Sequence, residues 1–281
     1  MKMKNTVATF AEMKRVGQKI SMLTCYDYST ARLIDEAGVN AILVGDSLGN
    51  VVLGYPDTLA VTVDDMIHHG AAVVRGTKNA LVVIDMPFMS YQINAEEALR
   101  NAGRIIQTTH ANAVKLEGGV AVAETIRKIV TAGIPVMGHV GMTPQSVMQY
   151  GGFKVQGKTA EAAQKIIDDA LAVEAAGAFA VVLECVPADL AREITSRLTI
   201  PTIGIGAGVA CDGQVLVYQD MVGLYGDYAP KFVRRFADAG SVMRQAFAEY
   251  GAAVKAGTFP NDAESFGVAN GKQNNDLKRL Y

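Results

Sequence analysis

Lys115 and Glu117 lie inside the short apolar run Ala113-Val114-Lys115-Leu116-Glu117-Gly118-Gly119. If this run is a β-strand, alternate side chains share a face, so the lysine and the carboxylate point the same way. Opposite charges on a buried face are costly unless they are paired, hydrogen-bonded or bound to a ligand. They read as an internal ion pair or as part of a binding centre. Lys115 could itself act as a Schiff-base nucleophile. Its acidic neighbours favour a lysine that stays charged and holds a substrate carboxylate.

Other polar residues close apolar runs in the same manner: Asp46 after 41–44, Asp85 after 81–84, His139 after 134–137 and Glu184 after 179–183. Asp46, Asp85 and Glu117 offer only hard oxygen ligands, a set suited to Mg²⁺ or a similar divalent cation that takes further ligands from water and substrate. The competing reading makes these acids loop caps that pair with Lys115. Three clustered carboxylates repel one another without a cation, which favours the metal. His139 reads equally as a group that hydrogen-bonds substrate and as a core histidine. Glu184 has apolar flanks on both sides, and burial would raise its pKa and suit it as a base for a weakly acidic carbon. A metal-bound carbonyl beside that carbon would stabilise the enolate. The plainer alternative is a buried glutamate satisfied by a lysine or a backbone donor. Gly204-Ile205-Gly206-Ala207-Gly208 has the look of a phosphate cradle, although tight packing selects the same glycines. His68, His69 and His110 fall within or at the ends of predicted helices and read as structural.

The elements that must position these residues follow a rhythm. Strand-like runs at 20–26, 41–44, 81–84, 113–117, 134–137, 179–183, 201–205 and 214–218 follow a short amphipathic helix at 6–17. Helical patterns at 29–37, 62–75, 95–110, 120–132, 159–176, 188–198 and 230–256 alternate with them. Thr62 with Asp65, and Asn94 with Glu97, have capping-box spacing. Gly38, Gly133 and Gly177 stand where helices end. Eight such units predict parallel βαβ connections and a (β/α)8 TIM barrel. In that fold every strand end named above lies at one rim, where barrels build their active sites.

At 281 residues, half hydrophobic and 19% charged, the chain can form one barrel domain over 1–266, with a polar, mobile tail at 267–281. A net charge of −2 gives no general attraction to nucleic acid or to an anionic membrane. No uncharged apolar run reaches the roughly 18 residues of a membrane span. The N-terminus lacks the apolar core of a signal peptide. Cys25, Cys185 and Cys211 are widely spaced, form no CxxC and suit a reducing cytoplasm. A soluble cytoplasmic protein is expected.

Six motifs, in order, are similar to those of the ketopantoate hydroxymethyltransferase family. They are Gly45-Asp46-Ser47-Leu48-Gly49, Asp85-Met86-Pro87-Phe88-Met89 and Val114-Lys115-Leu116-Glu117-Gly118-Gly119. After them come Gly138-His139-Val140-Gly141-Met142-Thr143-Pro144-Gln145-Ser146, Leu183-Glu184-Cys185-Val186-Pro187 and Ile203-Gly204-Ile205-Gly206-Ala207-Gly208. The resemblance runs over about 6–266. It departs at His110-Ala111-Asn112, where a glycine-containing turn is expected. It implies a barrel of the phosphoenolpyruvate/pyruvate superfamily that transfers a hydroxymethyl group from 5,10-methylenetetrahydrofolate to 3-methyl-2-oxobutanoate. The product would be 2-dehydropantoate, in the first committed step of pantothenate biosynthesis. By the same resemblance Asp46 and Asp85 would bind Mg²⁺, with Glu117 completing the shell directly or through water. Ser47 and Lys115 would hold the substrate carboxylate, His139 would orient the substrate, and Glu184 would remove the C3 proton. The family further implies a homo-oligomer, commonly a decamer. The rival readings are a metal-dependent 2-oxo acid lyase or mutase of the same superfamily and a phosphate-binding barrel isomerase.

Overall fold

The computed structural model describes residues 4–152, 154–225 and 230–266; the predicted tail at 267–281 lies outside the described residues. In chain order the first elements are α1 (Val7–Arg15), β1 (Ile20–Thr24), α2 (Tyr28–Glu36), β2 (Ala41–Val44), α3 (Leu48–Val51) and α4 (Val63–Gly76). Next come β3 (Leu81–Asp85), α5 (Ala95–Thr109), β4 (Ala113–Glu117), α6 (Ala123–Thr131), β5 (Val136–Gly141) and α7 (Val147–Tyr150). The rest are α8 (Ala160–Ala175), β6 (Ala180–Glu184), α9 (Ala188–Arg197), β7 (Thr202–Ile205), β8 (Gly213–Leu216), α10 (Tyr218–Met221) and α11 (Ala239–Lys255). The strands are all parallel and close in sequence order from β1 round to β8, where β8 pairs back to β1. This is the (β/α)8 barrel that the alternation of strand and helix patterns predicts.

Two apolar layers hold it. Inside the barrel, alternate strand residues such as Met22, Leu43, Val83, Met137 and Val182 form one cluster. Outside, the other strand faces pack on the helices, with Ile84, Leu116 and Val181 among Ile105, Ile126 and Val173. The interior also needs a floor. The helix α1 supplies it by burying Phe10 and Met13 into the inner cluster, with the Phe10 ring edge-on to Phe179 at 6.1 Å. Lys14 fastens that floor by donating to Asp212 Oδ2 (2.9 Å) and to the carbonyls of Thr195 (3.0 Å) and Ile200 (2.9 Å). Sealing the N-terminal end leaves only the C-terminal end of the barrel open for chemistry.

The helix termini follow the sequence signals. Thr62 and Asp65 form the reciprocal capping box, while Asn94 accepts from Glu97 N at 2.8 Å without a side-chain bond in return. Gly38, Gly133 and Gly177 all take positive φ after their helices. His110 does the same at the end of α5, with φ +60°. That explains the missing glycine: a histidine occupies the left-handed turn that glycine usually fills.

Two boundaries differ from expectation. The strand β5 runs past Gly138 and His139 to Gly141, so His139 lies inside the strand and not at its end. Gly138 marks a close approach and not a break, since a Cβ there would stand 2.4 Å from Val173 of α8. The last helix begins at Ala239, capped by Asp238, which accepts from Ser241 N; no part of 230–238 is helical. Among its described residues only Gly240 is buried, so α11 has an uncovered apolar face.

Candidate active site

Strand register gathers the chemistry. Asp85 pairs in register with Lys115, and Glu117 with His139, so these neighbours face the same way. In β3, β4, β5 and β6 they fall on the inward parity of Val83, Ala113, Met137 and Val182, which puts Asp85, Lys115, Glu117, His139 and Glu184 inside the mouth. Asp46 and Ser47 enter from the turn after β2. Gly45 makes room there, because a Cβ would meet Ser47 Oγ at 2.8 Å and Asp85 Oδ2 at 3.5 Å. All seven residues singled out in the sequence line one cavity of about 620 Å³ at the C-terminal end.

The interior of that cavity is crowded with charge. Lys115 and Asp85 are both almost fully buried, and the ammonium meets Asp85 Oδ1 at 2.7 Å. The second oxygen of Asp85 accepts from Asp46 N at 3.0 Å. Burial raises the pKa of Asp46 well above the ordinary value, and the charges of Asp85 and Glu117 raise it further against the opposing pull of Lys115 and Gln145. Burial raises Asp85 as well, although Lys115 draws it back. For Lys115, burial works against the charge, but Asp85, Glu117 and Asp46 outweigh it and hold the amine protonated. The acids favour the charged amine over a Schiff-base nucleophile, and the carboxylate-holding alternative fits this lysine.

His139 sits between two acids. Its Nε2 is 3.2 Å from Glu184 Oε2, and its Nδ1 is 3.5 Å from Glu117 Oε1 and 3.4 Å from Lys115 Nζ. Burial and the lysine charge push its pKa down, yet the two carboxylates outweigh them and raise it to about 9. The two acids thus favour the protonated ring. Ser47 is held through its hydroxyl by Tyr26 Oη at 2.8 Å, and the Tyr26 carbonyl accepts from His69 Nδ1 at 2.7 Å. His69 is thus structural, as its place on a helix predicts.

Several expectations need correction. Lys115 pairs with Asp85 and not with Glu117, because residues adjacent across the parallel register approach more closely than residues two apart on one strand. Glu184 is less enclosed than its apolar flanks predict: its side chain is 15% exposed, and its partner is His139 and neither a lysine nor a backbone donor. Beyond β4, Gly118 and Gly119 serve the turn and its packing. Gly118 takes φ +117°, and a Cβ on Gly119 would strike Asp169, whose carboxylate caps Val120 N at 2.9 Å. The glycines at 204–208 serve packing, since Cβ atoms on Gly204, Gly206 and Gly208 would meet Cys211, Phe232 and Ala188 within 3 Å. The three cysteines are free.

Two residues missed in the sequence organise the site. Gln145, just after β5, donates from Nε2 to Asp46 Oδ2 (2.8 Å) and from its backbone N to Glu117 Oε2 (3.0 Å). Tyr91 donates from its hydroxyl to Gln145 Oε1 (2.7 Å) and accepts from Glu117 N (3.1 Å). The available signal was a glutamine four residues beyond β5, within the motif that carries His139.

The donor set suits a hard divalent cation. Glu117 Oε1 is buried without a hydrogen-bond partner, and burial raises the pKa of both Asp46 and Asp85, so their charged forms call for a cation. Among the described residues, however, no group of three His, Cys, Asp or Glu side chains is arranged to hold a metal ion. The fit is therefore to a cation held by one or two carboxylates and completed by water and substrate, which is the habit of Mg²⁺. A closed cage of Asp46, Asp85 and Glu117 is not present. Among the described residues, no helix is long and apolar enough to cross a membrane.

Known proteins resemble the chain in sequence and in fold. Residues 4–262 match the family model described as ketopantoate hydroxymethyltransferase. The 3-methyl-2-oxobutanoate hydroxymethyltransferase of Clostridium novyi (strain NT) is 62% identical over 266 residues, covering 95% of this chain and 97% of that one. The protein of the same name from Enterococcus faecalis (strain ATCC 700802 / V583) is 58% identical over 279 residues, covering 99% and 100%. Among solved structures, a phosphonopyruvate hydrolase in complex with oxalate and Mg++ superposes with a TM-score of 0.61 at 12% identity, over 94% of this chain and 92% of that one. A 2,3-dimethylmalate lyase of the PEP mutase/isocitrate lyase superfamily gives 0.57 at 16% identity, over 94% and 93%. These distant likenesses speak to the fold alone. The sequence relatives go further, and on their identity and coverage the chain belongs to the ketopantoate hydroxymethyltransferase family.

Proposed function

We propose that this enzyme transfers a hydroxymethyl group from 5,10-methylenetetrahydrofolate to 3-methyl-2-oxobutanoate, giving 2-dehydropantoate for pantothenate biosynthesis. The observation that carries this reading is Glu184, a carboxylate at the cavity wall held by the His139 ring at 3.2 Å, opposite a buried, charged Lys115. The Lys115 ammonium and the Ser47 hydroxyl would take the substrate carboxylate. Tyr26 fixes that hydroxyl before substrate arrives. Asp46, Asp85 and, directly or through water, Glu117 would hold Mg²⁺ or another divalent cation. Such a cation supplies Lewis acidity to the keto oxygen and so makes the C3 proton easier to remove. Glu184 would remove that proton, with His139 orienting both the carboxylate and the substrate. Hydrolysis of the folate's methylene bridge would release formaldehyde, the C3 carbanion would add to its carbonyl carbon, and the proton held by Glu184 would return to the resulting alkoxide.

A 2-oxo acid lyase or mutase would share the proton chemistry but would not need the folate. The test is therefore product formation with the folate donor present and absent, with and without EDTA. Formation of 2-dehydropantoate only when donor and divalent cation are both present supports the proposal. Turnover indifferent to the folate would refute it. We also propose that the protein works in the cytoplasm as a homo-oligomer. The uncovered stripe Met243, Phe247, Tyr250 and Val254 on α11 supports the second point, because it needs a partner to leave water.

A further inference from the structure

Gln145 has a complete set of partners. Its Nε2 donates to Asp46 Oδ2 (2.8 Å) and to the Met86 carbonyl (3.0 Å). Its Oε1 accepts from the Tyr91 hydroxyl (2.7 Å) and from Gln92 Nε2 (3.1 Å). Both donors and both lone pairs of the amide are used. The amide has one possible orientation, since the Met86 carbonyl can only accept. The backbone N–H of Gln145 then reaches Glu117 Oε2 at 3.0 Å, and Tyr91 accepts from Glu117 N at 3.1 Å, which closes a ring through both residues. Gln145 and Tyr91 are buried and uncharged, so the ring holds two acids without neutralising them.

We infer that Gln145, oriented by Tyr91, is the positioning residue that sets Asp46 and Glu117 for a divalent cation and the substrate it carries. The clamp occupies one oxygen of each acid, Oδ2 of Asp46 and Oε2 of Glu117. Glu117 Oε1 is left with no hydrogen bond, 3.5 Å from His139 Nδ1, and Asp46 lines the cavity beside it. A second lysine in this place would have cancelled the negative charge that attracts the cation. A neutral amide steers the carboxylates and leaves that charge in place. This inference rests on the cation reading proposed above and assigns the residues that prepare the acids for it.

The test is Mn²⁺ binding to the full-length protein without substrate, followed by electron paramagnetic resonance of the free ion. The variants are Tyr91→Phe, which removes one oxygen, and Gln145→Met, which removes the amide at similar length. Both should raise the Mn²⁺ dissociation constant by about 10–100-fold, the usual effect of losing a partner of a metal ligand. In turnover the metal concentration for half-maximal rate should rise with it, while the rate at saturating metal recovers most of the wild-type value. If both variants bind Mn²⁺ as wild type does, and Tyr91→Phe only melts at a lower temperature, the ring is structural and the inference is overturned. If the wild-type protein binds no Mn²⁺, the cation reading itself fails and the clamp loses its purpose. Should Gln145→Met not fold, Tyr91→Phe decides the matter alone.

Discussion

Lys115 carries its charge almost fully buried, and the acids around it make that tolerable. The ion pair with Asp85 at 2.7 Å is the closest of these contacts. Removing one partner of a buried pair leaves an uncompensated charge, at a cost of about 3–5 kcal/mol. Lys115→Met should therefore lose that much stability in urea denaturation at pH 8. The loss should shrink at pH 5, because Asp85, already raised in pKa by burial, can then protonate and shed its charge. A loss that is the same at both pH values would show that packing, and not charge, is at stake. At this scale the sequence disclosed much. Residue type, together with position in or at the end of an apolar run, picked out six side chains and the family resemblance added Ser47; all seven share one cavity. Gln145 escaped because its hydrogen-bond partners Asp46 and Tyr91 stand 99 and 54 residues away, beyond what local spacing can register.

Elements are joined by similar polar ties away from the site. Asp35, near the end of α2, accepts from Ala80 N (2.7 Å), Asn79 N (2.8 Å) and Asn79 Nδ2 (3.0 Å), and so fixes the approach to β3. Burial pushes its pKa up, but these bonds outweigh it and hold the carboxyl below its ordinary value. A depressed folded pKa contributes stability above the unfolded value of about 3.9 and loses it as pH falls through the folded value. Asp35→Asn should cost about 1–3 kcal/mol at pH 7 by denaturant melts, the penalty for backbone donors left poorly satisfied. The difference from wild type should narrow below pH 4; a difference constant down to pH 2 would contradict the ionic account. Element positions were legible where glycines and caps punctuate periodic runs, as at Thr62, Gly133 and Gly177. They were misread where one residue type has two uses. Gly138 resembled a strand end but lies within β5 to admit Val173.

For the whole molecule, the floor and the flank differ in what they leave exposed. Phe10 and Met13 close the barrel from below, so the mouth alone admits substrate. On the flank, α11 presents Met243, Phe247, Tyr250 and Val254 at a helical spacing of 4, 3 and 4 residues, all exposed. Phe247→Glu should shift the protein to smaller species in light scattering, since a carboxylate in a packed apolar contact is costly to desolvate. An unchanged mass would place the subunit contacts elsewhere. Barrel closure was readable from the count of strand and helix patterns. The uncovered helix was not, because amphipathicity shows that a face needs burial without showing which chain buries it.

The proposed reaction depends on Glu184 taking a proton from C3 of the 2-oxo acid. The most direct measurement is exchange of that proton with deuterated water, followed by NMR in the presence of a divalent cation and without folate. Wild-type protein should catalyse the exchange. Glu184→Gln should still bind the 2-oxo acid but exchange its proton about 10²–10⁴-fold more slowly, the range expected for loss of a general base. Undiminished exchange in Glu184→Gln would remove this residue as the base and contradict the account.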